Sequence, residues 1–172
     1  MNTDDRLSMY IRVLQDEFGD SIVTECEGGT CVSKMILLDT TLIARVGDEY
    51  FTLEAEEPPS SSDAKLLSDI PMARLTYRED GKPRVSCDLP VDCLSSRKPV
   101  ESCIASVING VFALNPDLSR RVLRNIIDLV GDLASRGLTG NEIFRVLVEN
   151  YRVPRDLAEA SVESYQDMGR ED

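Results

Sequence analysis

The most reactive side chains in this sequence are five thiols: Cys26, Cys31, Cys87, Cys93 and Cys103. A thiolate can attack an electrophile, hold a metal or join a second sulfur, and its neighbours decide which. Histidine cannot be one of those neighbours, because the chain contains none. Cys-His dyads, Ser-His-Asp triads and His-ligated metals are therefore excluded. The spacings C-x4-C and C-x5-C, with no CxxC, do not fit a zinc framework, so no metal and no cofactor are expected. In an ordinary cytosol the thiols stay reduced, and the interiors of hyperthermophiles are the exception.

Carboxylates are the other chemical resource. Asp16, Glu17, Glu54, Glu56, Glu57, Asp88 and Asp92 include enough acids for a general acid/base pair. Their spacing shows no convergence, so the expectation is solvated surface acids and no enzyme. Glu27-Gly28-Gly29-Thr30 superficially suggests a phosphate loop, but it lacks the GK[ST] ending and opens no helix. Arg120, Arg121 and Arg124 cluster in the first turns of a helix, where the dipole disfavours cations. Two readings stand for them: pairing with acids of the first domain, or a docking patch for an acidic partner.

The whole chain has 172 residues, 19 Lys plus Arg against 31 Asp plus Glu, and a net charge of −12. Residues 1–112 carry 20 acids and 11 bases, and residues 113–172 carry 11 and 8. Such a balance argues against direct nucleic-acid binding, which needs a basic face. No apolar run approaches the roughly 20 residues that span a bilayer, and Met1 to Arg6 do not read as a secretory signal. The expected location is the cytoplasm, with no membrane contact.

The elements that must position these residues follow from periodicity. Leu7, Ile11, Leu14 and Phe18 share one face of a helix over 4–18, which Gly19 stops. Strands are expected at 21–26 and 31–38 around a Gly28-Gly29 turn, and at 41–46 and 49–55 around Gly47-Asp48. The second hairpin then sets Ala44 against Phe51 and Leu42 against Leu53. Asp39-Thr40 is the expected turn between the hairpins, giving a four-stranded antiparallel meander.

Residues 56–63 form a Pro/Ser loop, followed by a short helix over 63–69 capped by Ser62 or Asp63. A third hairpin spans 72–78 and 82–89. A two-residue Asp80-Gly81 loop would set Leu75 against Ser86. A three-residue loop, 79–81, sets Leu75 against Val85 with Gly81 in the left-handed bulge position, and is preferred. It turns Cys87 into the core, as expected for a free cysteine.

Helices are expected at 98–113, 117–135, 140–151 and 154–167. The first turns Val100, Ile104, Val107, Ile108 and Val111 inward. Thr139-Gly140-Asn141-Glu142 reads as a capping box. The last three helices carry apolar stripes through Leu118, Val122, Ile126, Leu129 and Leu133, through Ile143, Phe144, Leu147 and Tyr151, and through Leu157, Val162 and Tyr165. The fold class is α+β: an antiparallel sheet of about six strands with flanking helices, plus a C-terminal three-helix module. The domains read as 1–115 and 116–172.

Ala73-Arg74-Leu75-Thr76-Tyr77-Arg78-Glu79-Asp80-Gly81, continuing through Val85 and Asp88-Leu89-Pro90-Val91 into an apolar-spaced helix, resembles YbjN-like chains. The α–β–α–β–α order of residues 1–113 is similarly like the small acidic chaperones of type III secretion. The resemblance covers about two-thirds of the chain, and the tail from Pro116 departs from it. It implies a non-catalytic, chaperone-like or adaptor domain that binds another protein and is often dimeric. It also implies a dimer seam on the helix bearing Ile104, Val107, Ile108 and Val111, a stripe that serves equally to cover the sheet of one monomer. The alternative function is a nucleic-acid-linked regulator using the helix-turn-helix-like segment 140–167, although Asp156, Glu159, Glu163 and Asp167 would be repelled by phosphates.

One further expectation tests the first register. If Gly28-Gly29 is the loop, Cys26 and Cys31 are opposite at a non-hydrogen-bonded position, within disulfide reach. They should be bonded where the host cytosol is oxidising.

Overall fold

The computed structural model describes residues 3–18 and 22–169. The chain divides into two compact units, Met1–Pro116 and Asp117–Asp172. The fold is α+β, with one six-stranded antiparallel sheet in the first unit and a helical second unit.

The first unit begins with α1 (Thr3–Phe18), on which Leu14 is buried. The side chains of Leu7 and Phe18, and the stop at Gly19, lie outside the described residues. Strands β1 (Val23–Glu27), β2 (Thr30–Leu37), β3 (Thr40–Val46) and β4 (Tyr50–Ala55) form the meander. A 3₁₀ turn (Ala64–Leu67) follows, with the Asp63 side chain accepting from the Lys65 N–H. Then come β5 (Arg74–Tyr77) and β6 (Pro83–Pro90). The spatial order is β1-β2-β3-β4-β6-β5, so β6 and not β5 joins the meander. A second 3₁₀ turn (Val91–Ser95) leads into α2 (Arg97–Leu114).

Turn chemistry sets the registers. Gly28 and Gly29 both have positive φ, as a primed two-residue turn requires, and Glu27 pairs with Thr30. The turn from β2 to β3 is Leu38-Asp39, with φ of 50° and 58°, and Leu37 pairs with Thr40. The expected Asp39-Thr40 turn is thus displaced by one residue.

The third turn differs more. Val46 pairs with Phe51, Ala44 with Leu53 and Leu42 with Ala55. The loop is Gly47–Tyr50, four residues closed by the Gly47 N–H to the Tyr50 carbonyl at 3.0 Å. Gly47 does not have a positive φ, so a primed two-residue turn at Gly47-Asp48 cannot form. A two-residue slip preserves alternation, which is why apolar pattern alone could not separate the registers. At the last hairpin Leu75 pairs with Val85 and Gly81 has φ of 72°, giving the expected three-residue loop.

One face of the sheet carries Cys31, Met35, Leu42, Ala44, Val46, Phe51, Leu53, Val85, Cys87 and Leu89, all buried. Helix α2 packs on this face over β4 and β6. At Gly110 the helix lies so close that a Cβ would stand 2.8 Å from Val85 Cγ1. Asn115 follows α2, its side-chain amide donating to the Val111 carbonyl at 2.9 Å.

The second unit comprises α3 (Pro116–Ser135), α4 (Gly140–Glu149) and α5 (Arg155–Met168). Gly137, with φ of 88°, follows α3, and Thr139 and Glu142 make the expected capping box. Ile143 and Leu147 of α4, with Ala158, Ser161 and Val162 of α5, are buried. Gly131 lets α3 lie close to Tyr165, whose Cε2 is 3.3 Å from where a Cβ would stand. Tyr151, expected on the inward stripe of α4, is 50% exposed because the helix ends before it.

Candidate functional site

The five cysteines resolve into two bonded pairs and one thiol. Cys26 and Cys31 face each other across the Gly28-Gly29 hairpin with Cα atoms 4.1 Å apart, joined as a disulfide. Cys87 of β6 and Cys103 of α2 form a second disulfide, with Cα atoms 5.8 Å apart and both residues fully buried. This corrects the expectation of a free Cys87. The signal was present: Cys103 lies three residues after Val100, on the face of the helix assigned to the core. Cys93 is a half-buried free thiol in the second 3₁₀ turn. Among the described residues, no three His, Cys, Asp or Glu side chains are placed to hold a metal ion.

The apolar stripe of α2 is covered within the chain. Val107 and Ile108 are fully buried, and Ile104 and Val111 nearly so, on a helix that packs over β6 and β4. A seam between two copies through Ile104, Val107, Ile108 and Val111 would have to strip them from the sheet. Of the two readings of this stripe, burial favours the one in which it covers the sheet of its own chain. The three arginines of α3 are exposed. Arg120 pairs with Asp117 on its own helix at 3.3 Å.

The other face of the sheet holds the chemistry that sequence reasoning missed. Alternation turns Arg45, Glu54, Arg84, Ser86 and Asp88 away from α2. Glu54 is buried and accepts from both Arg45 and Arg78. Burial pushes its pKa up, but the two guanidiniums outweigh that and hold the carboxyl below its ordinary value. Arg74 pairs with Asp88, Arg84 approaches Asp80 at 3.7 Å, and Lys34 donates to Glu56 at 2.8 Å. Glu54, Glu56 and Asp88, three of the candidate acids, are thus engaged with cations. A buried carboxylate with two bound guanidiniums stays ionised at neutral pH and holds no proton to donate.

At the β1–β2 end, this face changes character. Val23 is 65% exposed, Val32 37% and Ile36 68%. Register places Val23 opposite Lys34, and Val32 and Ile36 on either side of Lys34 along β2. The three apolar side chains therefore form one patch around the Lys34 stem, edged by Glu25 and Glu27. Nothing in the pattern of β2 alone marked this, since Cys31, Ser33, Met35 and Leu37 alternate with it and are the buried set.

In the second unit, α5 presents Asp156, Glu159, Glu163 and Asp167 to solvent. Its one early cation, Arg155, lies over the Phe144 ring at 5.5 Å. No helix among the described residues is long and apolar enough to cross a membrane. Comparison with protein families, curated proteins and solved structures finds no match to this chain.

Proposed function

We propose that this chain is an acidic, non-catalytic protein-interaction protein, chaperone-like or adaptor in role, in keeping with the YbjN-like and type III secretion chaperone-like pattern of its sequence. The observation that carries the reading is the joint exposure of Val23, Val32 and Ile36 on one face of an outer hairpin. A single exposed apolar residue needs no explanation, but a contiguous set rimmed by charge has the character of a contact surface. The absence of histidine supports a binding role, as does the engagement of Glu54, Glu56 and Asp88 in ion pairs.

The nucleic-acid alternative draws no support from α5, whose exposed charged residues are four acids and Arg155. A homodimer stays compatible with the reading, through a surface other than the α2 stripe. The proposed location is the cytoplasm, and two disulfides there require a host whose interior leaves thiols oxidised.

The test is position-specific photocrosslinking in the native host. A crosslinker replacing Ile36 should yield a discrete adduct with a second protein, and one replacing Leu66, also exposed, should not. The adduct should vanish when Val32→Asp is added. Equal yields from the two positions, or an adduct indifferent to Val32→Asp, would refute this surface.

A further inference from the structure

Strand β1 is the outermost strand at its end of the sheet. A two-residue turn makes Glu27 and Thr30 a hydrogen-bonded pair, and the antiparallel alternation then runs along the ladder. Glu25–Val32 and Val23–Lys34 are bonded pairs, whereas Cys26–Cys31 and Thr24–Ser33 are not. The N–H and C=O groups of Thr24 and Cys26 therefore point away from β2, toward the free edge. Among the described residues no backbone group pairs with them. The Cys26–Cys31 disulfide pins this strand to its neighbour, so the edge is held ready rather than frayed.

Its side chains state what would fit. Val23, Glu25 and Glu27 line the outer face beside Val32 and Ile36, giving one apolar position followed by two acidic ones along the edge strand. We infer that the β1 edge takes an extended basic–apolar segment of another protein as an added strand. Backbone bonds to Thr24 and Cys26 hold it, Lys or Arg side chains stand opposite Glu25 and Glu27, and apolar side chains continue the Val23–Val32–Ile36 patch. This rests on the protein-binding reading above and names the chemistry of the partner.

A second copy of this strand fits poorly. Antiparallel self-pairing through Thr24 and Cys26 can be centred on residue 24, 25 or 26. Centring on 25 sets Glu25 against Glu25, and centring on 26 sets Glu25 against Glu27. Centring on 24 leaves the two Glu25 side chains diagonal to each other. Like charges directly opposite are destabilising, and the third register sets its apolar Val23 against Glu25. A basic segment gains from the same geometry.

The experiment titrates the full chain, disulfides intact, into two labelled peptides of about seven residues, enough to span a strand of this length. One is Lys-Thr-Lys-Thr-Val-Thr-Val, which puts its Lys and Val side chains on one face of the added strand, the other has Glu in place of Lys, and fluorescence anisotropy reads binding. The Lys peptide should bind and the Glu peptide should not, with the preference reversed in Glu25→Lys/Glu27→Lys. Thr24→Pro removes an edge-facing N–H without touching the β1–β2 ladder and should weaken binding by about tenfold, the value of one good hydrogen bond. Thr24→Val loses the hydroxyl that meets Ser33 Oγ at 2.8 Å but keeps the N–H, and should bind like the parent.

Unchanged binding by Thr24→Pro would overturn strand addition. If Ile36→Asp then abolished that binding, the protein-binding surface would stand and only the edge would fall. Failure of the parent protein to bind the Lys peptide would overturn the inference outright, and a dimer that Thr24→Pro dissociates would assign the edge to a second copy. The crosslinking at Ile36 judges the broader reading independently.

Discussion

Gly110→Ala sets two familiar effects against each other. In an open helix interior, replacing glycine by alanine stabilises by about 1 kcal/mol, because alanine loses less backbone entropy. At Gly110 the new methyl would stand 2.8 Å from Val85 Cγ1 and 3.4 Å from both Ala73 Cβ and Leu67 Cδ2. Carbon pairs prefer about 3.5–4.0 Å, so the first contact is severely short. Val85 is fully buried and β-branched, with little freedom to rotate away. Overpacking of this kind costs about 1–3 kcal/mol. The steric term wins, and the net expectation is a loss of about 1 kcal/mol, a fall of roughly 4 °C in Tm for a unit this size. Urea unfolding followed by circular dichroism on the full chain measures it. The decisive control is Val85→Ala, which removes the clashing methyl groups. In that background Gly110→Ala should be neutral or stabilising, so the two changes should couple. A rise in stability on Gly110→Ala in the parent chain would refute the close approach of α2 to β6.

Three other expectations follow from the same geometry. Replacing both Cys87 and Cys103 by Ala opens a loop with a sequence separation of 16 and should cost about 3 kcal/mol by the chain-entropy estimate, read as a shifted urea midpoint; an unshifted midpoint would show the bond does not form in solution. Glu54→Gln should destabilise by about 1–2 kcal/mol at neutral pH, because Arg45 and Arg78 lose a charged acceptor while staying partly hydrated. Since the folded pKa of Glu54 is lowered, its contribution is full above the unfolded carboxylate pKa and fades as pH falls through the folded value, so parent and variant stabilities should converge in acid. Thr139→Ala removes the N-cap of α4 and should lower stability by about 1 kcal/mol, which thermal melts would detect, with Thr139→Ser close to the parent.

Local chemistry was legible in the sequence where it was unambiguous. The Gly28-Gly29 turn, the bulge at Gly81 and the Thr139–Glu142 box each depend on a few adjacent residues, and each stands where those residues place it. The registers failed where two answers preserve the same alternation, as with Gly47-Asp48 against the four-residue loop. The role of Ile108 and its neighbours could not be read, since an apolar stripe records only that something covers it. Glu54 was visible as an acid, but its two arginines come from β3 and from the residue after β5, and only the strand order β3-β4-β6-β5 gathers them. The Val23–Val32–Ile36 patch was hidden for the same reason: its members belong to two strands and acquire meaning as a surface only once paired.

The strand order also bears on how the chain reaches this state. Strands β1 to β4 pair with their sequence neighbours across short turns, so each rung closes a small loop. The β4–β6 seam is different: Leu53 must find Cys87 across the Pro/Ser loop, the 3₁₀ turn and the whole of β5. Loop-closure entropy makes that the slowest pairing in the sheet. Cys87 also meets Cys103 through α2 packed on β4 and β6, so the second disulfide reports arrival of the seam, whereas Cys26–Cys31 can close on an isolated hairpin. During oxidative refolding the hairpin bond should therefore appear first. Acid-quenched mass mapping of the sulfurs would reveal the order, and early Cys87–Cys103 oxidation would mean that α2 docks on β6 before the meander is complete.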